Sequence, residues 1–299
     1  MGIPVFLYTN NLFAPVAASL MASITANTKA EVDFYILDGF ISHGNKKRLM
    51  NFNAKGSCNV EFIKIDLKPY YKAYPLLKKL DSKLIFKYLI PDLKQNIGKA
   101  IYVDKDLVFL RGSDIAALYE MDMQEYAIAA TKKATLVDSK ISNHANNFIG
   151  LCNINSYLKY LGITDLKAIF DTSLLIFDCK RWHEGHVLEK AISLFENKVN
   201  TNQDGLLYSC DDMLFSYLDK KFLPLDRKWN VPFNYAKTFY LGQEFDNNDM
   251  CVLNFNEAGD EFKPYNNMKL AGSDFFWQYS KMTPFYRRLL KLPPPLQNP

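Results

Sequence analysis

Within the first 65 residues, three short apolar runs (3–8, 32–37 and 60–65) alternate with two segments of helical periodicity (15–28 and 42–52). Connections this short between strand and helix favour parallel strands joined by crossover helices. In the first helix Val16, Leu20, Met21 and Ile24 recur at helical spacing. In the second, Ser42 is placed to cap, and Lys46, Lys47 and Arg48 make one side basic. The pattern predicts an α/β fold with a central, mostly parallel twisted sheet flanked by helices. With 299 residues, 48% of them hydrophobic, the chain is large enough to bury such a core, and disorder is excluded as its general state.

Further along, residues 68–80 are less regular, 82–89 read as a helix stopped near Pro91, and 99–103 as a strand. A strand over 126–130 is followed by a polar stretch, 131–153, rich in Asn, Ser and Lys. Its length suggests a lid. Residues 155–161 read as helix, 174–178 as strand, 182–198 as one long amphipathic helix, 211–218 as a short helix and 251–255 as a late strand.

The strand at 99–103 runs directly into Asp104-Lys105-Asp106. Ligands of open α/β sheets bind beyond the carboxyl ends of strands. Two carboxylates two positions apart on extended chain share a face and repel unless a cation lies between them. A hard divalent ion, Mg²⁺ or Mn²⁺, suits carboxylate oxygens and bridges to a diphosphate. The same three residues in a polar loop are also what two solvated acids look like.

The run Ile101-Tyr102-Val103-Asp104-Lys105-Asp106-Leu107-Val108 resembles the "YLDADxxV" signature of retaining glycosyltransferase family 8, which includes bacterial lipopolysaccharide galactosyl- and glucosyltransferases. Residues 5–19 resemble that family's opening strand and uridine-binding turn, and 83–93 its "YYRLxIPDLL" helix. Residues 157–182 resemble "YLGI…YFNSGVLLINLKKW". Cys210-Asp211-Asp212-Met213-Leu214 falls at "DQDxLN", Trp229-Asn230 at "WN", and 252–265 at "ILHFxGxxKPW". The resemblance covers roughly residues 3–265 and implies a GT-A-type domain over 1–265 with a small C-terminal extension, 266–299.

It also implies an activity and a site. The reaction would move a hexose, galactose or glucose, from a UDP-sugar to a saccharide or glycolipid acceptor such as lipopolysaccharide or lipooligosaccharide, with retention and a divalent metal, Mn²⁺ or Mg²⁺. Tyr8, Thr9 and Asn10 would line the uridine side. Lys87, Gly259 and Lys263 would serve the diphosphate, Lys105 would be one of the substrate-binding residues, and Asp171 and Thr172 would face the donor sugar. Asp212 would be the acid near the anomeric carbon, although Asp211 and Asp212 equally suit the start of a helix. Asp104 and Asp106 would hold the metal.

Several positions depart from the pattern. The uracil-side acids become Asn10-Asn11, the helix arginine becomes Lys87, and Asn-Ser/Ala-Gly becomes Asp171-Thr172-Ser173. Asn254 replaces the histidine that would complete the metal site, with Asn256 as a substitute, so weaker metal binding is expected, or a site completed only with nucleotide. A catalytically degenerate binder of nucleotide-sugar or glycan is the second reading. A self-glucosylating, glycogenin-like primer is the third, permitted by 18 tyrosines.

The remaining features mostly exclude. A net charge of +4 is too mild for a nucleic-acid partner. No run of about 18 apolar residues predicts a spanning helix, and no signal-peptide pattern or CxxC pair is present, which favours a cytoplasmic setting. His183 and His186 are three apart, not the four of a helical zinc motif, and read as structural or surface residues. The aromatic, basic segment 275–292 suits peripheral contact with the inner face of the membrane, or packing as an ordinary terminal helix.

Overall fold

The structure, a computed structural model, describes residues 2–52, 58–80, 85–94, 96–133, 148–149, 152–153, 162, 169–201, 217–218, 221–233, 250–256, 263–266, 268 and 272–291. It is α/β, with mostly parallel pairing and flanking helices, as the alternation predicts. The chain divides into two compact units, one of residues 1–64, 101–121 and 227–299, the other of 65–100 and 122–226.

The first unit is built on β1 (Ile3–Asn10), β2 (Val32–Gly39), β3 (Cys58–Ile63) and, from Ile101, the end of β4 (Lys99–Val103). Their order is β4-β1-β2-β3 and every pairing is parallel. The chain therefore builds outward from β1 to β3, then returns to the other side of β1, which makes the β1–β4 edge a switch point of the kind that receives ligands. Val5, Phe6, Leu7, Ile101 and Val103 are fully buried, so these strands read as apolar runs rather than alternations.

Two helices follow the strands. α1 (Ala14–Asn27) is buried on nearly all sides from Ala14 to Ile24, with alanines at 17, 18 and 22 that permit close approach. Its polar side chains are satisfied internally: Ser23 Oγ accepts from Phe109 N at 3.0 Å and Asn27 Nδ2 donates to Tyr279 Oη at 2.8 Å. α2 (His43–Met50) starts at Ser42, whose Oγ accepts from Asn45 N at 3.4 Å, as predicted.

Beyond β4 come β5 (Leu107–Phe109) and α3 (Ile115–Glu120), the latter capped by Asp114. β5 joins a second, three-stranded sheet with β6 (Val231–Pro232) and β7 (Val252–Asn254) in the order β6-β7-β5, with β7 antiparallel to β5. Two terminal helices, α4 (Ser273–Ser280) and α5 (Tyr286–Leu289), pack against α1. Phe276, Trp277, Tyr279, Phe285 and Leu289 of this tail are buried, so its aromatics serve the core. Among the described residues no helix is long and apolar enough to cross a membrane.

In the second unit, strand Ile128–Lys132 pairs parallel with Leu223–Pro224 and antiparallel with Phe170–Asp178. The first runs two residues beyond its expected end, into the segment read as a lid, of which residues 134–147 lie outside the described residues. The expected single helix over 182–198 is two, Cys179–Glu184 and Val187–Thr201. The break has a local cause: Gly185 N donates to Arg181 O to end the first helix, and His186 adopts φ +49°. Pro91 does not stop a helix but opens one, Ile90–Leu93, where its missing N–H is not needed. The stretch 68–80 is more regular than expected, with a helix at Lys68–Ala73 and a 3₁₀ turn at Pro75–Lys79. The helix read at 155–161 and most of that at 211–218 lie outside the described residues.

Candidate functional site

The Asp104-Lys105-Asp106 turn joins β4 to β5 at the switch-point edge and closes with Leu107 N donating to Asp104 O at 3.2 Å. The end of β7 lies against it: Asn254 pairs across the sheet with Leu107, and Phe255 N donates to Asp106 O at 3.0 Å. Phe255 is fixed in turn by stacking on Phe233, with centroids 4.8 Å apart. The late strand and the acidic turn, about 150 residues apart in sequence, thus form one structural unit.

The two acids have different surroundings. Asp104 is half-buried, receiving Tyr102 Oη on Oδ1 at 2.5 Å and Asn256 Nδ2 on Oδ2 at 3.2 Å. Asp106 is only 4% exposed, which excludes the solvated-acid reading for it. Its Oδ2 accepts from Lys105 Nζ at 2.8 Å and Lys263 Nζ at 3.1 Å, and its Oδ1 from Tyr265 Oη at 3.3 Å. Burial pushes the Asp106 carboxyl upward, but the two ammonium groups outweigh it and hold the group below the usual carboxylate range.

The lysines also differ. Lys263 is buried and donates to Asp106 Oδ2, to Phe255 O at 2.6 Å and to Asn256 O at 3.1 Å, which engages all three of its protons. Lys105 is about a quarter exposed at its side chain, 24%, and lies over the ring of Phe13, 4.7 Å from the centroid. Phe13 sits in the turn after β1 and meets Tyr265 edge-on at 6.3 Å.

This donor set does not fit a divalent metal. An ion on Asp106 Oδ2 would face two ammonium groups, where like unit charges about 4 Å apart repel by roughly 4 kcal/mol at an effective dielectric near 20. Asn254, expected as the third ligand, is fully buried, and both ends of its amide are engaged: Nδ2 donates to Asn230 Oδ1 at 2.7 Å and Oδ1 accepts from Asn256 N at 2.7 Å. Among the described residues no three His, Cys, Asp or Glu side chains converge.

On the β1 side, Asn10 Oδ1 accepts from Leu12 N at 3.0 Å and Phe13 N at 3.1 Å, which shapes the turn into α1. Asn11 Oδ1 accepts from Ser42 N and Asn45 Nδ2, tying that turn to α2. Thr9 is buried, and the half-buried Tyr8 lies so near Gly39 that a Cβ there would sit 2.6 Å from Tyr8 Oη.

The second unit holds the expected sugar-side triplet. Lys132 pairs with Phe170 while Ala130 pairs with Leu175, so the four residues 171–174 stand opposite the single Thr131 and the register shifts by three. Such irregularities re-aim side chains and occur beside active sites. Asp171 Oδ1 accepts from Ser173 N at 2.8 Å within the bulge. Lys87, 5% exposed in a 3₁₀ turn, donates to Thr172 Oγ1 at 2.7 Å.

Asp212 and Gly259 lie outside the described residues. Sequence reasoning missed Phe13, Tyr102, Asn230 and Tyr265 as part of the site. Tyr102 had a readable signal, since it stands two positions before Asp104 and so on the same side of an extended chain, and Asn230 and Tyr265 fell within matched stretches without being assigned a role. His183 bonds Asp92 Oδ1 at 2.8 Å on the surface, in keeping with its structural reading.

Comparison with known proteins follows the same line. The sequence profile of "Glycosyl transferase family 8" matches residues 4–264. A "Putative glycosyltransferase" of Haemophilus influenzae is 27% identical over 225 residues, 74% of this chain and 61% of that protein. "General stress protein A" of Bacillus subtilis is 27% identical over 203 residues, 67% of this chain and 63% of its own length. The chain thus spans under two thirds of these curated relatives. Among solved structures, the bifunctional glycosyltransferase WbbM superposes with a TM-score of 0.76 at 18% identity, over 97% of this chain and 51% of that one. The galactosyltransferase LgtC, in complex with donor and acceptor sugar analogues, gives 0.71 at 15% identity, over 96% of this chain and all of that one. These likenesses fix the fold as GT-A-type.

Proposed function

Since the chain belongs to glycosyltransferase family 8, we propose that it transfers galactose or glucose from a UDP-sugar to a saccharide acceptor of the lipopolysaccharide or lipooligosaccharide class, with retention of anomeric configuration. The observation that carries this reading is the acidic turn, with Asp106 buried at the β1–β4 switch point beside the turn after β1. LgtC, a structural relative seen with sugar analogues, is a galactosyltransferase.

In this reading Tyr8, Thr9 and Asn10 shape the uridine side. Lys87 and Thr172 orient the donor, and Gly259 allows close approach to the diphosphate. Asp171 or Asp212 supplies the negative charge that a cationic sugar transition state needs. The resemblance implies Mn²⁺ or Mg²⁺, but the residues around Asp106 fit neither.

The deciding experiment incubates the protein with UDP-galactose or UDP-glucose and an oligosaccharide acceptor, measuring UDP release and, by NMR, the anomeric configuration of the product. An α-linked product from the α-linked donor supports the reading. Tight nucleotide binding without release, with any acceptor, would instead favour the catalytically degenerate binder. Hexoses found by mass spectrometry on the protein itself would favour the self-glucosylating primer.

Peripheral contact with the cytoplasmic face of the membrane belongs to the same proposal. With Phe276, Trp277, Tyr279 and Phe285 buried, the tail exposes Lys281, Met282, Arg287, Leu290 and Lys291. Cations beside apolar side chains suit an anionic surface. Sedimentation with phosphatidylglycerol vesicles, but not with phosphatidylcholine, is the expected result.

A further inference from the structure

We propose that Lys105, the middle residue of the acidic turn, supplies the positive charge that holds the donor's diphosphate, so that nucleotide binding by this chain needs no divalent metal. This deepens the nucleotide-sugar reading above and rests on it.

The two lysines on Asp106 have different tasks. Lys263 is buried, and its three donors are engaged by Asp106, Phe255 O and Asn256 O. It therefore neutralises Asp106 and fastens the chain after β7 to the turn, and could reach a phosphate only by abandoning those bonds. Lys105 approaches Asp106 from the more open side, with a 2.8 Å bond to Oδ2 and its ammonium over Phe13. An ammonium held by one carboxylate and one aromatic face is pre-positioned, which lowers the entropy lost when an anion arrives. A lysine point charge is also a common partner for phosphate.

The environment that suits this lysine is hostile to a metal. A hard divalent ion bonds carboxylate oxygen at about 2.0–2.2 Å, and the Asp106 oxygen it would take already receives two ammonium groups. Tyr265 Oη on the other Asp106 oxygen and one donor on each Asp104 oxygen take up part of the remaining acceptor capacity. Asn254, where the resembling family has histidine, holds Asn230 and the Asn256 backbone instead. The lysine between the acids and the loss of the histidine are thus two parts of one exchange, a mobile cation for a covalently attached one.

Calorimetric titration of the whole chain with UDP and with uridine, each in EDTA and in Mn²⁺, tests this. The wild type should bind UDP with affinities that agree within about twofold in the two buffers, and Mn²⁺ alone should give no saturable heat. Lys105→Met should weaken UDP about 10- to 100-fold, the value of one charge-assisted hydrogen bond, and leave uridine unchanged. Lys105→Arg should keep most of the UDP affinity. UDP binding abolished by EDTA and restored by Mn²⁺ in the wild type would overturn the inference and leave the nucleotide-sugar reading standing. The inference is equally overturned if Lys105→Met weakens uridine as much as UDP, or weakens neither. Absence of UDP binding in both buffers removes the nucleotide-sugar reading and this inference with it.

Discussion

Lys263 Nζ lies 3.1 Å from Asp106 Oδ2, and both side chains are buried. A buried ammonium depends on its carboxylate, because removal of one partner leaves an uncompensated charge in a poorly solvated place. Asp106→Ala should therefore cost about 3–5 kcal/mol in urea denaturation, with the more exposed Lys105 free to swing into solvent and away from the Lys263 charge. An Asp106 that served only a catalytic ion would show lost activity with unchanged stability, and that result would contradict the anchoring role.

The same pair sets a pH dependence. The folded state holds the Asp106 carboxyl below its unfolded value, because the lysine charges outweigh burial. The stability this supplies is fully present above the unfolded carboxylate pKa of about 3.9 and is lost as pH falls further, through the depressed folded value. Wild type should thus lose stability below about pH 4 more steeply than Asp106→Asn. Parallel acid limbs for the two proteins in urea midpoints against pH would count against it.

Asn254 makes a second structural prediction. Its amide satisfies the Asn230 side chain and the Asn256 backbone in a fully buried position. Asn254→Ala should cost roughly 1–3 kcal/mol, the penalty for leaving such groups unpaired. The ratio of UDP affinities with and without Mn²⁺ should stay the same in this variant. A metal dependence that changes on its removal would restore Asn254 as a ligand.

The bulge at 171–173 gives a third. Thr172 Oγ1 accepts from the buried Lys87 at 2.7 Å. Thr172→Val removes that acceptor at nearly constant volume, while Thr172→Ser keeps it. For the proposed reaction, kcat/KM toward the donor should fall about 10- to 100-fold in the first and remain near wild type in the second. Equal losses in both would place the effect in packing of the threonine methyl rather than in the hydrogen bond.

What could be read from sequence follows the range of the forces involved. β1, α1, β2 and α2 were legible because hydrophobic period and the Ser42 cap are local signals. The break at Gly185–His186 was hidden because the apolar spacing of Val187, Leu188, Ala191 and Ile192 continues a helix in register without revealing a positive φ before it. In the site, Asp104 and Asp106 could be found because the acids adjoin a strand end. Their partners could not be found from local pattern. The resemblance of 252–265 placed Asn254 and Lys263 at the site, but their bonds to Asp106 or its neighbours, and that of Tyr265, depend on the antiparallel pairing of β5 with β7, a long-range contact with no local signature. The segment 171–173 was recognisable as polar, but the register shift it lies in depends on the partner strand's pairing at Ala130 and Lys132.

The cysteines offer a check on packing that is independent of the candidate site. Burial, followed by the charge of Asp33, pushes the Cys58 thiol up to about 11. Burial, then Asp178 and Asp92, pushes Cys179 up to about 12. The thiolate is the nucleophile, and an unperturbed cysteine titrates near about 8.5, so at pH 8 the native thiolate fraction falls by about two orders of magnitude or more. Both side chains are also buried, which adds a steric barrier in the same direction. In peptide mapping after brief iodoacetamide treatment at pH 8, Cys58 and Cys179 should be protected in the native chain and fully modified in urea. Cys58 opens β3 and Cys179 follows strand Phe170–Asp178, so each reports on one of the two units. Native modification of one at the unfolded rate would mean that its unit is not packed as described, without bearing on the other.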